Sequence, residues 1–119
     1  VKAAFPIWEK GLRILARAAS ENVYVKLSGL ATVNAGFRYD EMPTPPTSAQ
    51  LAEDWAPYVK VALEVFGMRH CMFASNFPID RSSAEYTILW NAFKLIVKDL
   101  PLADRRALFS ENARRAYRL

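Results

Sequence analysis

Hydrophobic residues in the first part of the chain change from helical spacing to strict alternation. A stripe at intervals of three and four residues predicts an amphipathic helix, with Trp8, Leu12, Leu15 and Ala19 on its apolar face. After a polar break at residues 20–22, residues 22–29 alternate. The apolar face of this segment carries Val23, Val25 and Leu27, and the other face carries Tyr24, Lys26 and Ser28. The alternation predicts a strand, and a helix followed directly by a strand is typical of α/β folds.

The middle of the chain predicts a long loop, a second helix and a second strand. Residues 31–47 contain Pro43, Pro45 and Pro46 and are too long for a routine connector. Thr47 and Gln50 have the form of a capping box. The helical stripe that follows ends at Gly67 and contains Pro57, where we expect a kink or a boundary between two helical turns. Residues 70–78 are short and apolar, which favours a strand buried on both faces.

The last third of the chain predicts helices only. Ser82 and Glu85 suggest a second capping box before the strongest apolar stripe, which Pro101 ends. Two short helices should follow, with Ser110 as the cap of the last one. The helical crossover between the two strands predicts that they are parallel. Two such strands need further cover, and with Val1 in place of an initiator Met this favours a chain that is part of a larger protein.

Composition excludes several classes of protein. The chain has 119 residues, which suits one domain, and 52% of them are hydrophobic. The one Cys excludes an internal disulfide framework and favours a reducing compartment, so we expect a cytoplasmic protein. The one His excludes a metal centre built from several histidines of this chain. The longest aliphatic run, residues 95–97, is too short to cross a membrane, and we expect no membrane partner.

Positive charge is concentrated near the carboxyl terminus. The net charge is +4, and residues 101–119 hold five arginines against Asp104 and Glu111. A basic tail attracts phosphates. A solvated helix face is the interpretation that we favour, because no phosphate loop, ribonucleoprotein motif or Cys/His finger accompanies the arginines. We therefore expect no nucleic-acid partner.

The candidate chemistry lies where the two predicted strands end. Lys26 and Ser28 share a face at the end of the first strand, and Asn76 and Asp80 follow the second. The carboxyl ends of parallel strands meet at one edge, where ligands bind in α/β folds. Asn76 can orient a substrate or a water but cannot act as a base, whereas Asp80 can if it turns into the pocket. The alternative is a simple turn in which Asp80 starts the cap region of the next helix.

Two further residues, His70 and Cys71, lie at the start of the second predicted strand. Ligands gather at the opposite end of such strands, so we expect a structural or surface role for His70. We expect Cys71 to be a small buried hydrophobe.

Three segments in this order resemble the amidohydrolase family 2 proteins. They are NVYVKLSGL at residues 22–30, FGMRHCMFASNFP at residues 66–78 and NARRAY at residues 112–117. Members of this family are TIM-barrel hydrolases, often metal-dependent, and include sugar and pyrone lactonases and some decarboxylases. The resemblance implies an α/β fold in which residues 1–119 are the C-terminal portion of a (β/α)8 TIM barrel, with two parallel strands, the seventh and eighth, and surrounding helices.

The resemblance also implies a function for the complete protein. It would hydrolyse a small-molecule substrate, a lactone or related cyclic ester or amide, by activated water. Lys26 and Ser28 would bind the substrate, and Asn76 and Asp80 would be catalytic. A divalent metal, zinc or manganese, would have its main ligands in the remaining N-terminal part of the barrel, and no residue of this chain is assigned to it.

One position departs from the family pattern. The eighth strand usually ends in an Asp that binds the metal and takes the proton from the attacking water, and Asn76 stands there in this chain. An amide is a weaker ligand for a hard cation and cannot deprotonate water. Three alternatives follow: Asp80 substitutes, the protein works without a metal, or it does different chemistry. A further alternative to the hydrolase interpretation is that the chain is a non-catalytic α/β interaction module or an inactive family member. We expect the isolated chain to be inactive. The sequence leaves open whether the protein forms a homo-oligomer.

Overall fold

The chain alternates helices with two short strands in a computed structural model that describes residues 2–19 and 21–119. Val1, whose identity favoured a larger protein, and Ser20, in the predicted break after the first helix, lie outside the described residues. The elements are α1 (Phe5–Ala18), β1 (Val25–Leu27), α2 (Ser48–Phe66), β2 (Cys71–Phe73), α3 (Tyr86–Ile96) and a helical tail of α4 (Leu102–Arg106), a π-helical turn (Ala107–Glu111) and α5 (Asn112–Tyr117). None of the described helices is long and apolar enough to span a bilayer.

The two strands are parallel, as the crossover predicted. Their register pairs Val25 with Cys71, Lys26 with Met72 and Leu27 with Phe73. Each strand has three residues, fewer than the alternating pattern predicted. The chain leaves the sheet soon after each strand, because Gly29 has a φ of +76° and Asn76 a φ of +55°.

The hydrophobic core lies on one side of this sheet. It joins alternate strand residues to the apolar faces of α2 and α3, and includes Leu27, Cys71, Phe73, Leu51, Trp55, Val59, Leu89 and Phe93. The rings of Phe73 and Phe93 stack with centroids 4.4 Å apart. Lys26 is exposed and Met72 is not part of this core cluster, as expected for residues that alternate onto the opposite face of the sheet.

Helix α1 covers the outside of α2 and buries none of its own residues completely. The ring of Trp8 lies 4.9 Å from that of Tyr58, and Arg13 forms ion pairs with Glu9 and with Glu64 of α2. The exposed fraction is 77% for Ile7, 57% for Ile14 and 52% for Leu15. Leu15 belongs to the apolar stripe predicted from the sequence, so that stripe is only partly covered by the rest of this chain. Ile7 and Ile14 lie outside the predicted stripe.

The first predicted capping box is present at the start of α2. The backbone N–H of Gln50 donates to the Thr47 hydroxyl at 3.2 Å, and the Thr47 N–H donates to the Gln50 side chain at 2.8 Å. Helix α2 runs through Pro57 without a boundary. Of the two outcomes expected at this proline, a boundary between two helical turns is therefore excluded.

Two other predicted caps are wrong. Helix α3 begins at Tyr86, its N-cap residue Glu85 makes no side-chain cap, and Ser82 belongs to a short 3₁₀ helix, Ile79–Ser82. The Ser82 hydroxyl donates instead to the Ile79 carbonyl at 3.3 Å. Ser110 lies inside the π-helical turn, because the tail continues as one helical segment instead of two separate helices.

Asn112 ties the helical tail to the start of β2. Its side chain is fully buried, and Nδ2 donates to the carbonyls of Met68 and Cys71. Its Oδ1 accepts a hydrogen bond from Arg115, which also donates to the Arg69 carbonyl. The buried amide is thus satisfied at both ends. This clamp gives a structural role to the NARRAY segment, for which the sequence predicted none, and it fixes the strand whose other end carries the candidate site.

Candidate active site at the carboxyl ends of the strands

The segments that follow the two strands lie against each other. A Cβ atom added to Gly29, after β1, would lie 3.5 Å from Nδ2 of Asn76, after β2. Both residues have a positive φ, a conformation that favours glycine and that asparagine tolerates better than most residues. The sequence did not single out Gly29, although a glycine directly after a polar strand end was the available signal.

The structure brings the two predicted catalytic residues together. The Asn76 Nδ2 donates to Asp80 Oδ1 at 2.9 Å, and the Asp80 backbone N–H donates to the Asn76 carbonyl at 3.1 Å. Asp80 is only 1% exposed, and its Oδ2 has no hydrogen-bond partner among the described residues. Burial raises the pKa of Asp80. The hydrogen bond from the Asn76 side chain lowers this pKa, and so does the nearby backbone of Ala31. The pair is therefore a buried carboxylate that holds a partly exposed amide.

The backbone around Asp80 also forms the turn that the alternative interpretation expected. The Asp80 carbonyl accepts hydrogen bonds from the backbone N–H groups of Ser83 and Ala84, both at 3.0 Å. The carboxylate, however, does not cap α3, since the N-cap residue of that helix is Glu85. The side chain is directed to Asn76 instead.

The two predicted substrate-binding residues lie on the β1 side of this edge. Lys26 is exposed, and Ser28 is half-buried just beyond the strand. Within the described ranges, no hydrogen bond or ion pair connects either of them to Asn76 or Asp80. Any substrate that contacts Lys26, Ser28 and Asn76 would have to bridge the two strands, and the Asp80 carboxylate is too buried to contact it directly.

The amino ends of the strands carry structural residues. The His70 Nε2 lies 3.0 Å from the carbonyl oxygen of Glu21, and its ring lies 5.2 Å from that of Tyr24. Cys71 is fully buried, its thiol is directed to the Ala62 carbonyl, and burial raises its pKa to about 12. This environment does not generate a reactive thiolate. Both placements agree with the structural roles predicted for these residues.

The residues at the strand ends do not by themselves form a metal centre. No cluster of three or more His, Cys, Asp or Glu side chains occurs in the part of the chain that the structure describes. Protein zinc sites use three or four such ligands. Here Asp80 Oδ1 already accepts the Asn76 amide, and the carboxylate is buried. The donor set of this chain therefore does not fit a complete site.

A separate groove of about 780 Å³ lies between α3 and the helical tail. Its lining combines apolar and basic side chains: Ser48, Asn91, Lys94, Leu95, Lys98, Leu102, Arg105, Arg106 and Phe109. None of the four candidate site residues lines it. The chemistry at the strand ends is therefore distinct from this groove.

Comparison with known proteins identifies the family. A family model described as Amidohydrolase matches residues 2–119. The chain belongs to the amidohydrolase family. It is 37% identical over 115 residues to the uncharacterized protein y4mH of Sinorhizobium fredii. The aligned residues cover 97% of this chain and 34% of y4mH. The predicted family is confirmed.

Solved structures of an amidohydrolase have a fold similar to that of this chain. A crystal structure of an amidohydrolase from Burkholderia multivorans with bound HEPES has a TM-score of 0.81 and 26% identity, covering 100% of this chain and 39% of that chain. A structure of that amidohydrolase with bound zinc has a TM-score of 0.80 and 27% identity, covering 98% and 38%. The α/β class and the TIM-barrel type of this portion are confirmed. This amidohydrolase chain spans about a third of the length of y4mH and about two-fifths of the B. multivorans protein.

Proposed function

We propose that residues 1–119 supply the seventh and eighth strands and the terminal helices of a hydrolase barrel. The family membership and the match to part of a TIM-barrel amidohydrolase support this assignment. The parallel pairing of β1 with β2 also supports it, because neighbouring barrel strands are parallel. In this proposal, the partner that completes the barrel is the remaining N-terminal part of the same protein.

The proposed substrate is a lactone or a related cyclic ester or amide. Water attacks the ring carbonyl carbon, the ring C–O or C–N bond breaks, and a hydroxy acid or amino acid is released. Negative charge develops on the carbonyl oxygen, and cations or hydrogen-bond donors stabilise it. Lys26, exposed on the sheet face away from the core, is a cation that this chain offers there, and Ser28 adds a hydroxyl that can bind the substrate.

The observation that carries the proposal is the Asn76–Asp80 pair at the carboxyl end of β2. Asn76 orients the attacking water or the leaving group by hydrogen bonds, since an amide does not titrate. Asp80 is the group of the pair that can accept a proton, so it acts either as the base or through its hydrogen bond to Asn76. Its burial leaves the carboxylate without direct access to water in this structure.

A divalent metal, zinc or manganese, would need its main ligands from the remaining N-terminal part of the barrel. Bound zinc is present in one of the two B. multivorans structures. In this chain, Asn76 would lie at the edge of such a site. The free, buried Cys71 is compatible with a reducing compartment, and we propose a cytoplasmic location on that ground.

The test uses the full-length protein and a panel of lactones, with acid release followed at constant pH. We expect Asn76→Ala to lower kcat/KM by about 100-fold, in the range found for lost positioning groups. Asn91→Ala, an exposed asparagine of α3, is the matched control and should retain activity. Asn76→Asp with unchanged activity and unchanged metal content would exclude a catalytic role for position 76.

A non-catalytic interaction module is the second candidate, and one observation favours it. The exposed apolar residues of α1, Ile7, Ile14 and Leu15, form a face that a partner chain could cover. In the hydrolase proposal, the rest of the barrel covers that face. Wild-type protein that hydrolyses none of the lactones would favour the module.

A further inference from the structure

Asp80 is buried although its carboxylate is only partly satisfied. One oxygen accepts the Asn76 amide at 2.9 Å, and the other has no hydrogen-bond partner among the described residues. A buried carboxylate lowers stability unless its hydrogen bonds compensate for the lost hydration. An apolar residue of the same size would avoid this cost. The Asp80 carboxylate therefore calls for an explanation other than stability.

The surroundings of Asn76 restrict its carboxamide to one orientation. The backbone is left-handed at this residue, and Gly29 approaches Nδ2 from the β1 side. With Nδ2 committed to the buried Asp80, Oδ1 must point away from it, because the two amide atoms diverge from the same carbon. In the described ranges, no side chain or backbone group donates to that oxygen.

We propose that Asp80 is a positioning residue that holds the Asn76 carboxamide so that Oδ1 is presented at the carboxyl edge of the sheet. There Oδ1 accepts a hydrogen bond from the attacking water or from a substrate hydroxyl. This inference rests on the proposed function, since it assigns the edge to substrate. It gives the carboxylate a role through Asn76 instead of a direct proton transfer.

The Asn76–Asp80 pair needs one amide donor and one carboxylate acceptor, and either position could supply either group. An Asp at position 76 would place two carboxylates within about 3 Å of each other, and they would repel. An Asp at 76 together with an Asn at 80 would restore one donor and one acceptor. We therefore expect Asn76→Asp alone to impair the protein and the double variant Asn76→Asp/Asp80→Asn to recover stability.

Two substitutions of Asp80 separate positioning from base catalysis in the full-length protein. Asp80→Asn keeps an oxygen that can accept from Asn76 Nδ2, so kcat should stay within about fivefold of wild type. Asp80→Leu removes the acceptor, and kcat should fall by about 100-fold with an unchanged or higher Tm. Ser82→Ala, in the same 3₁₀ turn, is the control for local disturbance. If Asp80→Asn is as inactive as Asp80→Leu, Asp80 acts as a base and the proposal is overturned.

A second measurement does not depend on activity. In protein labelled with nitrogen-15 at asparagine, the Asn76 carboxamide signals are assigned by their loss in Asn76→Asp. We expect them to exchange slowly with solvent in wild type and in Ser82→Ala, and rapidly in Asp80→Leu. Protection that survives Asp80→Leu would overturn the positioning role. If the wild-type carboxamide is protected but no lactone is hydrolysed, the proposed function fails while the orientation of Asn76 stands.

Discussion

The Asn112 side chain donates a 2.7 Å hydrogen bond to the backbone carbonyl of Cys71, 41 residues earlier in the chain. The bond joins the helical tail to the first residue of β2. Both groups are buried, so neither can exchange its partner for water. The position of β2, and with it the site at its far end, depends on a residue near the carboxyl terminus.

Replacing Asn112 should destabilise the protein strongly. Asn112→Ala leaves the buried Cys71 carbonyl and the partly buried Met68 carbonyl without this donor, and we expect a loss of about 2–4 kcal/mol in the free energy of unfolding. Urea denaturation of the full-length protein measures this loss, and Asn91→Ala is the control. A loss below about 0.5 kcal/mol, the usual size of a surface effect, would contradict the clamp.

Adjacent arginines should differ in their effect on stability. Arg115 donates to the Asn112 side chain and to the Arg69 carbonyl, whereas no side-chain hydrogen bond or ion pair of Arg114 occurs within the described ranges. We expect Arg115→Ala to lower the free energy of unfolding by about 1–2 kcal/mol and Arg114→Ala to change it by less than about 0.5 kcal/mol. Equal effects in thermal denaturation would mean that only the charge of this tail matters.

Two glycines should respond to alanine with opposite signs. Gly29 has a φ of +76° and lies against Asn76, so Gly29→Ala should destabilise the protein by about 1 kcal/mol and disturb the site. Gly11 lies within α1 and has no neighbouring atom within 4 Å of an added Cβ. Gly11→Ala should therefore stabilise by about 0.5–1 kcal/mol. Differential scanning calorimetry of both variants tests the contrast, and a stabilising Gly29→Ala would refute the close approach.

Cys71 should make stability fall as the solution becomes alkaline. The pKa of its thiol is about 12 in the fold and 9.0 without burial, so from about pH 9 upward the unfolded chain alone loses the proton. Deprotonation of the unfolded state favours unfolding, and the effect levels off above the folded pKa. Between pH 7.5 and 10, wild type should lose about 1–2 kcal/mol more than Cys71→Ala. Parallel pH dependences of the two proteins would contradict the burial of the thiol.

The exposed face of α1 distinguishes a barrel from an isolated module. If the rest of a barrel covers this face, Ile7→Ser/Ile14→Ser should lower the Tm of the full-length protein and reduce self-association of the 119-residue chain. Lys10→Ser, an exposed residue of the same helix, is the control. An unchanged Tm of the full-length double variant would place the face on the surface and favour the interaction module. Analytical ultracentrifugation measures the self-association.

The sequence by itself determined the element order, because the periods of two and 3.6 follow from local geometry. The Thr47–Gln50 capping box was predictable for the same reason, since both partners lie within one turn. The Ser82–Glu85 motif has the same form and still failed. Ser82 lies in a 3₁₀ turn, where its hydroxyl donates to the Ile79 carbonyl, and α3 begins only at Tyr86. Sequence spacing does not show which of two nearby turns starts the helix.

The tertiary structure alone decided what the site residues do to one another. The sequence placed Asn76 and Asp80 near the end of one strand, but it left open whether Asp80 turns into the pocket. Burial of its carboxylate depends on the fold around it, including the backbone of Ala31 from the loop after the other strand. The Asn112 clamp on β2 is equally non-local. Contacts between distant segments depend on three-dimensional packing, which no short-range pattern in the sequence records.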